Sequence, residues 1–237
     1  MGNTGRVTSG GGYEIYRLGM VTMTRINVGC GMTPTKGWKN IDNSLGLVLA
    51  RIPVLPALLH KTRLLNEPQY EGIQFGKSNK MVEYADATRG LPLSSGSVDV
   101  LYSSHMLEHL DQVEVTAFLK EARRVLCPRG IIRIVVPDLH KQVCQYLEDK
   151  DADAFISGTC LCEPRPKSMS ERLRILLVGT RNHQWMYDGS SLCRLLLKHG
   201  LSNASVVQAG ETRITNPEPL DLWERYSESV YVEAENH

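Results

Sequence analysis

Ile26-Asn27-Val28-Gly29-Cys30-Gly31-Met32-Thr33-Pro34 reads as a short apolar strand running straight into a Gly-x-Gly turn. Without side chains at Gly29 and Gly31, the backbone of such a turn comes close to a ligand, and its N–H groups are the donors that cradle nucleotide-like groups. Two acidic residues each close another strand-like run: Asp42 ends Lys39-Asn40-Ile41-Asp42, and Asp86 ends Val82-Glu83-Tyr84-Ala85-Asp86. Turn and carboxylates together outline a cofactor pocket at one edge of a sheet.

Strand-like runs recur at residues 25–29, 39–42, 82–86, 98–103, 130–136, 204–208 and 229–234, with helical patterns between several of them. That alternation predicts a mainly parallel sheet covered by helices, an α/β architecture. The clearest helix is 112–126, where Val115, Phe118, Leu119, Ala122, Val125 and Leu126 repeat at three and four. Asp111 and Glu114 have capping-box spacing at its start, and Pro128 and Gly130 stop it. A second helix is expected over 191–199, capped by Ser190 or Asp188 and closed by Gly200. Two segments break the repeating unit, 45–80 and 151–189, and long insertions of this kind are often lids or binding elements. The expected organisation is a loose leader over 1–22, in which Met20 or Met23 offers an alternative start, and a single domain over 23–237.

A hydrophobic fraction of 42%, a charged fraction of 22% and a net charge of +1 are ordinary globular values. No block of Lys or Arg marks a phosphate-tracking surface, so nucleic acid is not the expected partner. The most apolar run, Leu45 to Leu59, contains Arg51, Pro53 and Pro56 and is not a membrane span. Six scattered cysteines, with no Cys-x-x-Cys pair and no secretory leader, fit reduced thiols in the cytoplasm, and Cys160-x-Cys162 lacks partner ligands at finger spacing.

Residues 25–42, 86–110 and 118–139 resemble the class I S-adenosylmethionine-dependent methyltransferases, type 11 group. The matching pieces are Asn27-Val28-Gly29-Cys30-Gly31, Gly37-Trp38 to Asp42, Ala85-Asp86-Ala87 through Leu91-Pro92-Leu93, Ser97-Val98-Asp99 through His109, and Glu121-Ala122-Arg123 through Gly130. The resemblance implies a doubly wound, seven-stranded, mostly parallel Rossmann-like sheet with an antiparallel last strand, and it implies S-adenosylmethionine at the carboxyl ends of the strands, as open α/β sheets place their ligands. Carried over, Gly29 and Gly31 pack under the methionine part, Asp42 holds the ribose hydroxyls, and Asp86 with Ala87 meets the adenine. Ser104 and His105 lie near the reactive methyl, and Cys30 and Ser103 count with the cofactor set. The pattern departs in three places: Thr33-Pro34 replaces a third glycine, Pro128-Arg129-Gly130 replaces Pro-Gly-Gly, and only residues 32–38 separate the first two strands. A parallel crossover normally takes a dozen residues or more, so at most one helical turn is expected there.

His105-Met106-Leu107-Glu108-His109 has the His-x-x-Glu-His spacing of zinc proteases, but it leaves a strand rather than lying on a helix, and a metal site is not expected from it. Glu108 either orients pocket groups or is a solvated carboxylate near a helix start. Arg181-Asn182-His183-Gln184-Trp185-Met186-Tyr187-Asp188 gathers a cation, an imidazole, two aromatics and a carboxylate outside any periodic element, as functional loops do. His183 is the first candidate for a general base, with His105 and His140 as alternates at the same sheet edge. Asp138, after the fifth strand, either holds a substrate hydroxyl, orients His183, binds a divalent cation such as Mg²⁺, or caps the next helix.

A histidine-rich edge suits an oxygen acceptor. The expected activity is O-methylation of a small molecule or oligosaccharide, and the resemblance of Val136-Pro137-Asp138-Leu139 and the 182–188 stretch to sugar methyltransferases of the methylmannose polysaccharide pathway points to polysaccharide assembly. The alternatives are methylation of a phenol or other metabolite, a cofactor-binding protein without catalysis, and an NAD-dependent oxidoreductase. The last is opposed by the absent Gly-x-Gly-x-x-Gly and by an acidic residue that arrives too soon after the turn.

Overall fold

Val98–Ser104 is buried on both sides, and its side chains alternate between two apolar clusters: Leu101 joins one, while Val100 and Tyr102 join the other. The same division runs through the neighbouring strand, where Ile132, Ile134 and Val136 oppose Val135. A strand covered on both faces needs no polar alternation, which is why these stretches read as near-continuous apolar runs. The computed structural model describes residues 23–162, 166–169, 171, 172, 175 and 182–237. The leader 1–22 with Met20, residue Arg181 and parts of the 151–189 insertion lie outside the described residues.

The strands are β1 (Arg25–Val28), β2 (Lys39–Asp42), β3 (Val82–Tyr84), β4 (Val98–Ser104), β5 (Leu126–Pro137), β6 (Ser202–Val207) and β7 (Ser229–Glu235). They form one seven-stranded sheet in the order β3-β2-β1-β4-β5-β7-β6. β7 is antiparallel to both neighbours, and the pairings among β1 to β5 are parallel. The expected Rossmann-like sheet with an antiparallel last strand is what the chain forms.

Helices α1 (Leu45–Leu49), α2 (Leu55–Lys61) and α3 (Glu67–Ser78) stand between β2 and β3. After β4, a single 3-10 turn (Leu107–His109) leads to α4 (Gln112–Val125), then α5 (Leu139–Asp149), α6 (Ala152–Thr159) and α7 (Gly189–Lys198). Among the described residues, no helix is long and apolar enough to cross a membrane.

Asp111 caps α4 with a complete capping box from Glu114, and Val115, Phe118, Leu119, Ala122 and Val125 are buried against the sheet. Burying a side chain such as Phe118 or Leu119 contributes about 1.5–3 kcal/mol. The helix ends three residues ahead of Pro128, because Leu126 is already extended and begins β5. Arg129, standing where the family carries glycine, takes a left-handed φ of 64°. α7 starts at Gly189, two residues earlier than expected, because Asp188 is the cap, and it packs Leu192 and Leu196 beside α4.

No helix covers the link between β1 and β2. Residues 29–38 form turns held by two buried side-chain amides: Asn27 donates to Thr33 O and Thr35 Oγ1, while Asn40 accepts from Thr35 N and donates to Thr35 O and Trp38 O. These amides saturate a buried loop backbone that a helix would have satisfied internally. The face left open is covered by Trp38 and by residues 208–228, from which Ile214 and Leu220 pack on Val100, Tyr102, Val135 and Tyr231.

Candidate active site

The carboxyl ends of β1, β2 and β4 open on a cleft of about 770 Å³. Its walls are Gly29 and Gly31 after β1, Asp42 to Ser44 after β2, Ala85 to Thr88 after β3, and His105, Met106, His109, Leu110 and Glu114 after β4. A cleft of several hundred Å³ at this edge is where open α/β sheets bind small ligands.

The Gly-x-Gly turn does something other than donate to a ligand. Gly29 N and Cys30 N both bond Ile41 O, at 2.8 and 3.3 Å, and Gly31 N donates to Asp42 Oδ2 at 2.9 Å. With no helix after β1, the turn folds back on β2, so these donors are spent inside the protein. The glycines act through shape. Gly29, at φ 72°, passes so close to Met106 that no Cβ fits, and Gly31, at φ 49°, has no protein atom within 4 Å of where a Cβ would stand.

Asp42 is buried and also accepts from Ser44 N, at 2.7 Å. An ionised carboxylate has about four lone-pair sites, so two backbone bonds leave capacity for ligand hydroxyls. Asp86 accepts from Thr88 N and Oγ1 and pairs with Arg89 Nε at 3.3 Å, an arrangement that closes the turn around Ala87. Cys30 is placed differently from the expectation. Its side chain is buried away from the cleft, and burial, with the Asp42 charge adding to it, pushes its thiol up to about 12. Ser103 is buried within β4 and Ser104 follows it, and neither lines the cleft, because both still belong to the strand.

Beyond β4 the chain turns sharply, with His105 at φ 48°. Its Nδ1 lies 3.2 Å from Arg225 Nη1 and its Nε2 lies 2.9 Å from Ser229 Oγ. A guanidinium only donates, so Nδ1 of His105 accepts and the ring proton sits on Nε2, donated to Ser229. Glu108 is 1% exposed, and neither of its side-chain oxygens has a hydrogen-bond partner; ring nitrogens stand near it, His105 Nδ1 at 3.3 Å and His109 Nε2 at 4.0 Å.

His183 comes to the same place from the 182–188 stretch. Gln184 N and Trp185 N bond Glu108 O at 2.7 and 3.2 Å, the His183 ring meets the His109 ring edge-on at 5.0 Å, and His183 Nδ1 lies 2.8 Å from Thr159 O. Burial lowers the His183 pKa, against the opposing charge of Glu108, and the neutral ring then carries its proton on Nδ1 and a lone pair on Nε2. The other end of the stretch is structural: Tyr187 is buried and bridges Asp138, and Asp188 caps α7.

Asp138 and His140 stand apart from this cluster. Asp138 is buried, caps α5 through the backbone N–H of His140, and lines a separate cavity with His140, Asp188 and Ser190. The capping alternative therefore describes Asp138, and among the described residues it belongs to no group able to hold a metal ion. Sequence reading passed over Arg225, Ser229, Glu114 and His109. The first two lie about 120 residues from His105 along the chain and carry no local pattern, whereas His109 stood in view within the His-x-x-Glu-His spacing.

Residues 61–134, about a third of the chain, match a family model described as a methyltransferase domain. Over these residues the chain is similar to methyltransferase domains, and its strand order is the one expected of that fold. A search of curated proteins finds no match to the chain. Among solved structures, one from Thermotoga maritima, described as a possible histamine N-methyltransferase, is 15% identical with a TM-score of 0.49, over 90% of this chain and 82% of that one. A methyltransferase from Archaeoglobus fulgidus is 14% identical with a TM-score of 0.47, over 91% and 87%. The geranyl diphosphate C-methyltransferase of Streptomyces coelicolor is 11% identical with a TM-score of 0.43, over 91% and 71%. At such values these likenesses carry nothing about the acceptor, and the sheet order itself establishes the fold. The cleft is chemically compatible with S-adenosylmethionine: it leaves open space at Gly31 and spare lone pairs on Asp42.

Proposed function

We propose that this protein is an S-adenosylmethionine-dependent methyltransferase that acts on a hydroxyl group of a sugar or oligosaccharide, such as a mannoside, in cytoplasmic polysaccharide assembly. The observation that carries the hydroxyl is the cluster of Glu108, His109 and His183 beside the cleft, a buried carboxylate without hydrogen-bond partners and two imidazoles held through Nδ1 by backbone carbonyls. A neutral amine already offers its lone pair to an electrophile, whereas a hydroxyl becomes a strong nucleophile only as its proton leaves. S-adenosylmethionine supplies an electrophilic methyl on a sulfonium sulfur.

In this reading Gly29 and Gly31 make room for the methionine part, Asp42 receives the ribose hydroxyls, and Asp86 with Ala87 borders the adenine. His105, held by Arg225 and Ser229, borders the acceptor. His183 receives the acceptor's proton through its Nε2 lone pair, and Trp185, half exposed beside Glu108, offers a flat apolar surface to a sugar ring. In the same reading the insertion 45–80 and the described part of 151–189 are assigned as cover over cofactor and acceptor. Alignment of nucleophile and methyl supplies the larger part of the acceleration, about 7–11 kcal/mol in favourable intramolecular cases, and proton removal adds typically about 10²–10⁴-fold.

The test is an acceptor screen with S-adenosylmethionine against methyl mannosides, oligomannosides, phenols and primary amines, read by mass gain of one methylene unit. Methylated mannosides are the expected product. Methylation of amines alone overturns the hydroxyl reading, and methylation of phenols alone overturns the sugar.

A further inference from the structure

One ligand-type atom from each of Glu108, His109 and His183 lies within 4.8 Å of the other two, the group among the described residues with this property. Both imidazoles are turned as metal ligands are turned. His109 Nδ1 meets Asn182 O at 3.2 Å and His183 Nδ1 meets Thr159 O at 2.8 Å, and since carbonyls only accept, each Nδ1 carries the proton and each Nε2 keeps a lone pair. A backbone carbonyl on the far nitrogen is the outer-sphere arrangement that fixes the tautomer of ligating histidines.

Glu108 supplies the independent observation. Its carboxylate is buried, both oxygens lack a hydrogen-bond partner, and the closest ring nitrogen, His105 Nδ1, is itself an acceptor occupied by Arg225. An orphaned buried carboxylate is costly, and a bound cation is one of the few things that removes the cost.

We infer that Glu108, His109 and His183 bind one divalent first-row metal ion, with zinc as the reference, beside the acceptor end of the cofactor cleft. Two nitrogens and one carboxylate form a donor set that suits zinc and its neighbours and leaves coordination positions open, whereas magnesium prefers oxygens throughout. Tetrahedral ligands at about 2.0–2.1 Å stand about 3.3 Å apart, so atoms now within 4.8 Å of one another need close by at most about 1.5 Å. His109 also lines the cleft, so the open positions border the space where an acceptor meets the methyl group.

The inference rests on the hydroxyl reading for its chemistry and refines it. An acceptor hydroxyl on the ion is acidified and loses its proton to water. Its oxygen then forms the bond to the methyl carbon as the carbon–sulfur bond breaks, and the electron pair goes to sulfur, giving the neutral thioether. The lone pair of His183 holds the ion in that state, so in the metal-bound protein water, and not His183, takes the proton.

Calorimetric titration of chelator-stripped protein with Zn²⁺, alongside Co²⁺ read by its visible absorption, tests the site. Both are run in a Cys144→Ser, Cys160→Ser, Cys162→Ser background, because those thiols are exposed and compete. One equivalent is expected to bind. Glu108→Gln and His183→Ala are each expected to weaken it by more than the roughly 10–100-fold that loss of an outer-sphere partner costs, with thermal unfolding still cooperative. Failure of the parent to take up either ion, or unchanged affinity in both variants, overturns the site. Neither result depends on turnover: an ion that binds to a protein methylating only amines upholds the site and removes the hydroxyl reading, and hydroxyl methylation by a protein that binds no ion does the reverse.

Discussion

Gly29 and Met106 are packed so closely that a Cβ added to Gly29 would stand 2.6 Å from Met106 Cγ. Met106 lines the cofactor cleft between His105 and His109, so a methyl group at position 29 pushes it toward the space the cofactor needs. Gly29→Ala also pays about 1–2 kcal/mol for a side chain at φ 72°. Calorimetry with S-adenosylhomocysteine should show lost or strongly weakened binding in this variant and in Gly31→Val, whose branched side chain enters open space at φ 49°. Unchanged affinity in folded protein would remove the turn from the cofactor site.

His183→Ala should lower turnover by roughly 10²–10⁴-fold while S-adenosylhomocysteine affinity stays close to that of the parent. His183 does not line the cofactor cleft, which is why the two quantities should separate. Normal turnover in the variant would leave the 182–188 stretch as a structural element only.

Arg133 and Glu233 are both 0% exposed, 2.7 Å apart and in register across β5 and β7, and Glu233 also accepts from Thr212 Oγ1 and Arg213 N. Glu233→Ala strands the guanidinium in the sheet and should cost about 3–5 kcal/mol. Thermal unfolding should register a fall on the order of 10 °C. A shift of a degree or two would mean that water or the Tyr231 ring, 5.0 Å from the guanidinium, already compensates the charge.

Glu121 accepts a hydrogen bond from Arg124, which holds its carboxyl below the ordinary 4.5, helped by the Leu91 N–H and opposed by partial burial. Because the folded value is the depressed one, the stabilisation is complete above about pH 4.5 and is lost as pH falls through the folded value. Urea midpoints of wild type and Glu121→Gln should differ at pH 7 and converge as pH falls through the depressed folded value. A difference that stays constant down to pH 3 would show that this carboxylate contributes nothing to acid sensitivity.

The seven strands and the helix after Asp111 were legible in the sequence because period and capping are local properties. Asp42 and Asp86 were legible for the same reason, each ending a run of strand-like residues. What the glycine turn does with its amides was not, since that depends on a missing helix and on two asparagines, Asn27 and Asn40, that close the loop instead. His105, Glu108, His109 and His183 converge through the bonds of Gln184 and Trp185 to Glu108 O, a contact of backbone to backbone that leaves no mark on side-chain pattern. Asp138 and His140 line a cavity apart from the cleft, and a sheet-edge position in the sequence says nothing of which cavity a side chain serves.

β7, residues 229–235, lies between β5 and β6 rather than at the rim of the sheet. During synthesis, a chain grown as far as residue 228 therefore has two naked strand edges facing an unfilled slot, and closing it joins residues about 100 positions apart, as Arg133 and Glu233 are. Such a late, non-local insertion is slow, and open edges recruit neighbouring chains while it waits. Yield from the ribosome, and not only activity, is thus tied to how promptly this one segment arrives, and a supplied peptide of the β7 sequence should compete for the slot in a half-made chain.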